Sequence, residues 1–288
     1  MRSFTAQLAE RVLAGRAPIV IGLDPRADAL PARLLPDAAP AQRIVEFHRL
    51  TLPVLARHAP CVKPNIAFFE AHGAAGYRAY EETCALARQH GLLVLGDVKR
   101  GDIGSTAAAY AEGHFALADA LTLHPYLGAD SIEPFLAACR SPQDGRAVFV
   151  LVRTSNPGAR DFQDLVVGNR PLCDVVAEAV TRWGADLPRA EGYSPVGAVV
   201  GATWPQELAR LRALLPHAWL LLPGVGAQGG KVQDLAAAFD RRGLGALVNQ
   251  SRGVMQCFAP DAADWLERID AAAAAFAAEC RAVARGSR

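Results

Sequence analysis

The stretch Leu92-Leu93-Val94-Leu95-Gly96-Asp97-Val98-Lys99-Arg100-Gly101-Asp102-Ile103-Gly104-Ser105-Thr106 decides the fold. Its opening run is apolar at successive positions, which suits a strand covered on both faces, as in a parallel sheet packed between helices. A glycine-containing turn follows, and a helical pattern starts near Ser105. This is one β–α unit. Residues two apart on a strand point to the same side, so Asp97 and Lys99 project together from its C-terminal end. Asp102 and Thr106 follow on the turn into the helix. Three charges of alternating sign crowded at a strand end are costly to desolvate unless they pair. Such clusters concentrate at functional sites; the plain alternative is a surface salt bridge beside a helix cap.

The same unit recurs along the chain. Apolar, β-rich runs occupy Ile19–Asp24, Cys61–Asn65, Leu92–Asp97, Ala120–His124, Ala147–Thr154, Val196–Ala202, Trp219–Pro223 and Ala246–Gln250. Helical patterns lie between most of them, at Ala41–Arg57, Gly76–His90, Ser105–Leu117, Ser131–Ala138, Pro171–Gly184, Pro205–Leu214 and Lys231–Arg241. Eight β–α units in one chain predict a closed (β/α)8 TIM barrel, with an open doubly wound sheet as the alternative. A length of 288 residues suits one such domain over 1–288. A short amphipathic helix within Met1–Gly15 would precede the barrel, and an Ala-rich helix from about Asp261 to Ala284 would end it. Leu30–Pro40 and Asp186–Pro195 lengthen two loops without breaking the rhythm.

A formal net charge of +1, with the signs mixed along the chain, offers no strong field for nucleic acid or an anionic membrane. No segment approaches the roughly 18 apolar residues of a membrane span. The N-terminal pattern holds Glu10 and Arg11 and so lacks the apolar core of a signal peptide. Six widely spaced cysteines without a C-x-x-C fit free thiols in a reducing cytoplasm.

A barrel places its active site at the C-terminal ends of its strands. Those ends read Asp24; Lys63 and Asn65; Asp97 and Lys99; His124; Ser155 and Asn156; Thr203; Gln228; Arg252. Lys63 interrupts an apolar strand, so it either snorkels to solvent or faces a polar cavity. Asp24 before Pro25 fits either a site residue or a turn. Gly224-Val225-Gly226-Ala227-Gln228-Gly229 matches G-x-G-x-x-G. In the seventh unit of a barrel this reads as a phosphate loop rather than a dinucleotide fingerprint, or as a structural turn. Arg252, past the eighth strand, would supply a forked cation to that phosphate. His124 reads as scaffold, since no second His or Cys stands at metal spacing, and no metal site is expected. Asn249-Gln250-Ser251 matches a glycosylation acceptor, a match without meaning in a cytosolic barrel.

Together these residues resemble the orotidine 5′-phosphate decarboxylase family from about Val20 to Met255. The family core D-x-K-x-x-D-[I/V]-x-x-T is met by Asp97, Lys99, Asp102, Ile103 and Thr106. Supporting blocks are Gly22-Leu23-Asp24, Val62-Lys63-Pro64-Asn65, Thr154-Ser155-Asn156-Pro157-Gly158 and the glycine-rich loop; the Lys-Pro-Asn and Thr-Ser-Asn-Pro-Gly forms look like the longer bacterial branch. The resemblance implies conversion of orotidine 5′-phosphate to UMP and CO2, the last step of UMP synthesis, without a cofactor. It implies a cytoplasmic homodimer in which Asp102, Ile103 and Thr106 act across the interface. Lys63, Asp97, Lys99 and Asp102 would form the charged network, with Lys99 protonating C6. Asp24, Lys63 and Thr106 would hold the ribose, and Ser155 the pyrimidine. Gln228 and Arg252 would hold the phosphate, with Gly226 and Asn65 beside the nucleotide. Rival readings are a metal-dependent sugar-phosphate lyase or epimerase, a Schiff-base aldolase on Lys63 or Lys99, and a silent nucleotide-binding barrel.

Overall fold

A computed structural model describes residues 2–141, 145–226 and 229–286. Eight strands close into a barrel: β1 (Ile19–Leu23), β2 (Cys61–Pro64), β3 (Leu93–Arg100), β4 (Ala120–Leu123), β5 (Ala147–Arg153), β6 (Ser194–Val200), β7 (Ala218–Leu222) and β8 (Ala246–Gln250). All neighbours are parallel, and β8 returns to β1 with Ile19 opposite Val248. The long helices are α1 (Phe4–Leu13), α2 (Pro40–Leu55), α3 (Gly73–Gln89), α4 (Gly104–Phe115), α5 (Ala129–Arg140), α6 (Leu172–Trp183), α7 (Pro205–Leu214) and α8 (Trp265–Gly286). The fold is the (β/α)8 TIM barrel, and the open sheet is set aside by the β8–β1 ladder.

The strands are apolar on both faces because each face serves its own core. Ile21, Val62, Val94, Leu121, Val148 and Val248 point outward and pack with the helices. Their neighbours Val20, Cys61, Leu93, Leu95, Phe149 and Leu247 point inward and pack with Phe4, Leu8 and Val12 of α1. The period of two separates the cores cleanly. Helix α1 closes the N-terminal mouth: Phe4 meets Phe149 edge-on at 6.1 Å, and Arg11 donates to the carbonyls of Pro60 and Gly91 just before β2 and β3. Its start is set by Ser3, whose hydroxyl accepts from Ala6 N. Inside the barrel Gly197 makes room for Phe149, since a Cβ there would lie 2.7 Å from that ring.

Two segments differ from the sequence reading. The expected helix at 231–241 is a 3-10 helix, Val232–Ala238, and its buried residues Val232, Leu235 and Ala238 recur every three positions, the 3-10 repeat. Between β5 and α6 a two-stranded hairpin pairs Val166–Val167 with Arg170–Pro171, turning at Gly168, which supplies a φ of 69°. Among the described residues no helix is long and apolar enough to cross a membrane, and all six cysteines are free thiols.

Candidate active site

Followed toward the C-terminal ends, the inward rows change from apolar to polar. Cys61 gives way to Lys63 and Asn65, Leu95 to Asp97 and Lys99, Ala120 to Thr122 and His124, and Leu247 to Asn249 and Ser251. All of these polar residues line one cavity of about 1310 Å³, together with Asp24, Ser155 and Arg252. Gly22 is bare for a reason: a Cβ there would sit 1.9 Å from Ser251 Oγ and 3.3 Å from Asn249 Oδ1. Asp24 Oδ1 and Asn249 Oδ1 are buried acceptors without a hydrogen-bond partner among the described residues. Such groups are costly unless something satisfies them.

The centre of the site is Asp97. Lys63 Nζ donates to its Oδ2 at 2.5 Å, Lys99 Nζ donates to Oδ1, and Thr122 Oγ1 donates to Oδ1 at 3.1 Å. Lys63 and Asp97 are both buried. Burial alone would raise the Asp97 pKa, but Lys63 and Lys99 outweigh it and hold the carboxyl below the usual carboxylate range. Burial alone would lower the Lys63 pKa, yet Asp97 and then Asp24 hold it above the ordinary lysine value. Lys63 therefore does not snorkel. The site keeps a carboxylate between two ammonium groups, one sealed in and one, Lys99, with 44% of its side chain exposed.

Lys99 is aimed by its backbone. Its φ is 44°, the left-handed region that a lysine adopts only at a cost of about 1–3 kcal/mol. The β3–β4 ladder is irregular here: Gly96 pairs with Leu121, and the next pairing is Arg100 with Leu123. Thr122 holds the distortion, since its Oγ1 accepts from Lys99 N at 2.9 Å while it donates to Asp97.

Asp102, Ile103 and Thr106 do not join this cluster within the chain. They lie off the cavity wall at the start of α4. Asp102 Oδ1 accepts from Ile103 N, and Ile103 is 54% exposed. Asn65, at the end of β2, caps the next turn by accepting from Ala67 N. Arg252 opens the short helix Arg252–Met255 and is exposed. Gln228 lies outside the described residues. Gly226 has a φ of 74°, but its N–H donates to Gly230 O, while Gly229 N–H returns to Gly226 O and Gly230 N–H to Gly224 O. Those amides close the turn on itself. Thr122 and Asn249 carry no signal beyond their place two residues along inward rows. His124, read as scaffold, lines the cavity wall. Among the described residues no three His, Cys, Asp or Glu side chains group as metal ligands.

Comparison with known proteins bears on what this arrangement serves. The sequence model of the Orotidine 5′-phosphate decarboxylase / HUMPS family matches residues 19–263. An orotidine 5′-phosphate decarboxylase of Deinococcus radiodurans is 46% identical, covering 88% of this chain and 89% of its own. That of Rhodopirellula baltica is 42% identical, covering 94% of this chain and 97% of its own. The structure of Leishmania donovani OMP decarboxylase superposes with a TM-score of 0.79 at 38% identity, covering 98% of each chain. With the barrel closed, the Asp–Lys centre at its C-terminal mouth and relatives of this similarity along nearly the whole length, the chain belongs to the orotidine 5′-phosphate decarboxylase family.

Proposed function

We propose that the protein converts orotidine 5′-phosphate to UMP and CO2, the step that completes UMP synthesis, using side chains alone. The observation that carries this reading is the Asp97 carboxylate bonded by both Lys63 and Lys99 on the cavity wall. Loss of CO2 breaks the bond at C6 and leaves its electron pair on the ring. A fixed ammonium stabilises that charge and then quenches it, so Lys99 gives its proton to C6 and regains one from solvent. Asp97 holds the Lys99 amine in place, and an amine engaged in that ion pair is badly disposed to attack a carbonyl as a Schiff-base nucleophile. Lys63 neutralises Asp97 from the buried side and, with Asp24, reaches the ribose hydroxyls; the unpartnered Asp24 Oδ1 supports that role. Ser155 faces the pyrimidine. Arg252 and Gln228 take the phosphate, with Gly226 and Asn65 beside the nucleotide.

The site is completed by a second copy of the chain. Asp102, Ile103 and Thr106 sit off their own cavity with Ile103 exposed, as residues serving a partner's site would. Free thiols in every cysteine fit a cytoplasmic enzyme.

The test is the ultraviolet absorbance of orotidine 5′-phosphate mixed with the purified protein and EDTA. Decay of the substrate band with UMP formed is the expected result. Turnover that EDTA abolishes would move the reading to a metal-dependent lyase of the same barrel. No turnover, with the protein folded, would overturn the assignment.

A further inference from the structure

We propose that Arg153 is a positioning residue, which holds the cavity-lining segment 154–163 in place through a buried ion-pair and stacking clamp. The inference rests on the functional reading above for its assay and on separate observations for its content.

Arg153 ends β5 at a bulge. Leu151 pairs with Val199, and Arg153 pairs with Val200, so two steps on β5 meet one on β6. That slip takes the side chain out of the inward row. Its guanidinium is only 1% exposed. Nη2 donates to Glu207 Oε1 of α7 at 3.0 Å, and Nη1 lies 2.6 Å from Asp164 Oδ1, beyond the segment's end. The guanidinium carbon stands 4.1 Å from the centroid of the Trp204 ring. Arg160, inside the segment, lies 5.0 Å from the same ring. Two carboxylates on separate nitrogens and an aromatic face under the plane suit a guanidinium better than a lysine's point charge, although Nε has no hydrogen-bond partner among the described residues.

Three partners of this clamp connect to the segment that walls the cavity: Trp204 bonds to it, Arg160 lies within it and Asp164 follows it, while Glu207 anchors the guanidinium to α7. Trp204 Nε1 donates to Thr154 O at 2.9 Å. Thr154 N donates to Gln163 Oε1, and Gln163 Nε2 returns to Thr154 Oγ1, closing the segment into a loop. Thr203, next to Trp204, donates to Ser155 O at 3.4 Å. Thr154, Ser155, Asn156, Phe162 and Gln163 all line the cavity. Arg153 itself lies outside the lining. It acts through the loop. Loosening it lets Ser155 wander by fractions of an ångström, which is enough to matter in a site that works by placement.

A double-mutant cycle between Arg153 and Ser155 tests this. Arg153→Met keeps much of the bulk under Trp204 and should lower kcat/KM for orotidine 5′-phosphate about 10–100-fold, as loss of a supporting contact does. Arg153→Lys keeps a charge but not the fork and should recover part of it. Ser155→Ala should cost a similar factor, and the double variant should be no worse than the worse single variant. Losses that multiply, or an Arg153→Met enzyme within about twofold of wild type, would overturn the proposal; the multiplying outcome is what a purely structural arginine gives. If Arg153→Met does not fold, Asp164→Asn takes its place in the cycle, since Asp164 is part-exposed and removes one arm of the clamp. Wild-type turnover reports the functional reading separately. Should wild type prove inactive, the same cycle in UMP affinity by calorimetry still decides the role of Arg153.

Discussion

The two ends of the barrel are built by the same strands and the same alternation, yet they behave as different materials. At the N-terminal end the inward side chains are Phe149, Trp219 and Leu247, sealed by Phe4 and Leu8 of α1. At the C-terminal end the inward positions hold Lys63, Asp97, Thr122 and Asn249, open to the cavity. The apolar end needs no geometry finer than close packing, and each buried large side chain there contributes about 1.5–3 kcal/mol. The polar end adds little or nothing to stability for the charges it buries. The contrast teaches where the free energy for an unfavourable site comes from: one mouth stabilises, and the other spends that margin on an ammonium held in a left-handed backbone.

If that division is real, variants at the two ends should fail differently. Lys99→Ala should lower kcat by at least about 10⁴-fold, combining loss of the proton donor with loss of its charge. Its melting temperature should stay near wild type and nucleotide binding should survive, both measurable by calorimetry. Next in size, mixing inactive Lys99→Ala with inactive Asp102→Ala should restore about a quarter of wild-type activity. Random pairing makes half the dimers mixed, each with one intact site. No recovery after proven subunit exchange would confine the site to one chain. At the other mouth, Leu8→Ala should cost about 2–5 kcal/mol in urea unfolding while leaving kcat per folded molecule unchanged. A fall in kcat there would break the division.

The smallest effect concerns pH and lies in the helical shell, at His48 of α2 and His114 of α4. His48 is pushed down to about 3 by burial, and His114 to about 4 by burial and Arg100. A histidine of depressed pKa stays neutral in the folded state while the unfolded chain takes up protons below about 6.5. Stability from these residues is therefore full above that pH and falls as pH drops toward 4 and then 3. The urea midpoint should decline over this window, and His114→Phe should flatten the decline. Asp97, held below the carboxylate range by Lys63 and Lys99, should keep its charge throughout.

Much of this was legible in the chain. The eight strand runs fall within a few residues of their observed limits because both faces are buried and so both are apolar. Lys63, Asp97 and Lys99 were legible because a charge ending an apolar run has few innocent explanations. Other features depend on things a linear pattern does not carry. The left-handed Lys99 and the slip at Arg153 are ladder irregularities, set by neighbouring strands rather than by local residues. Arg153 therefore passed as the unremarked end of an apolar strand. Thr122 and Asn249 look like ordinary strand residues until the barrel closes and four inward rows converge. The sequence crowds Asp102 with Asp97 and Lys99, but within one chain it sits in the turn before α4, off the cavity wall. The hairpin after β5 did have a signal, the Gly168-Asn169 pair flanked by Val166, Val167 and Arg170.

The distorted end of β3 has a consequence for anyone who would transplant this chemistry. Copying Asp-x-Lys onto a regular strand of another barrel would reproduce the side chains but not the direction of the amine, because the aim resides in the φ of residue 99 and in the Thr122 hydroxyl that holds it. The unit to graft is a pair of adjacent strands with their mismatched ladder, and a design scored only on side-chain identity would discard the part that points the proton.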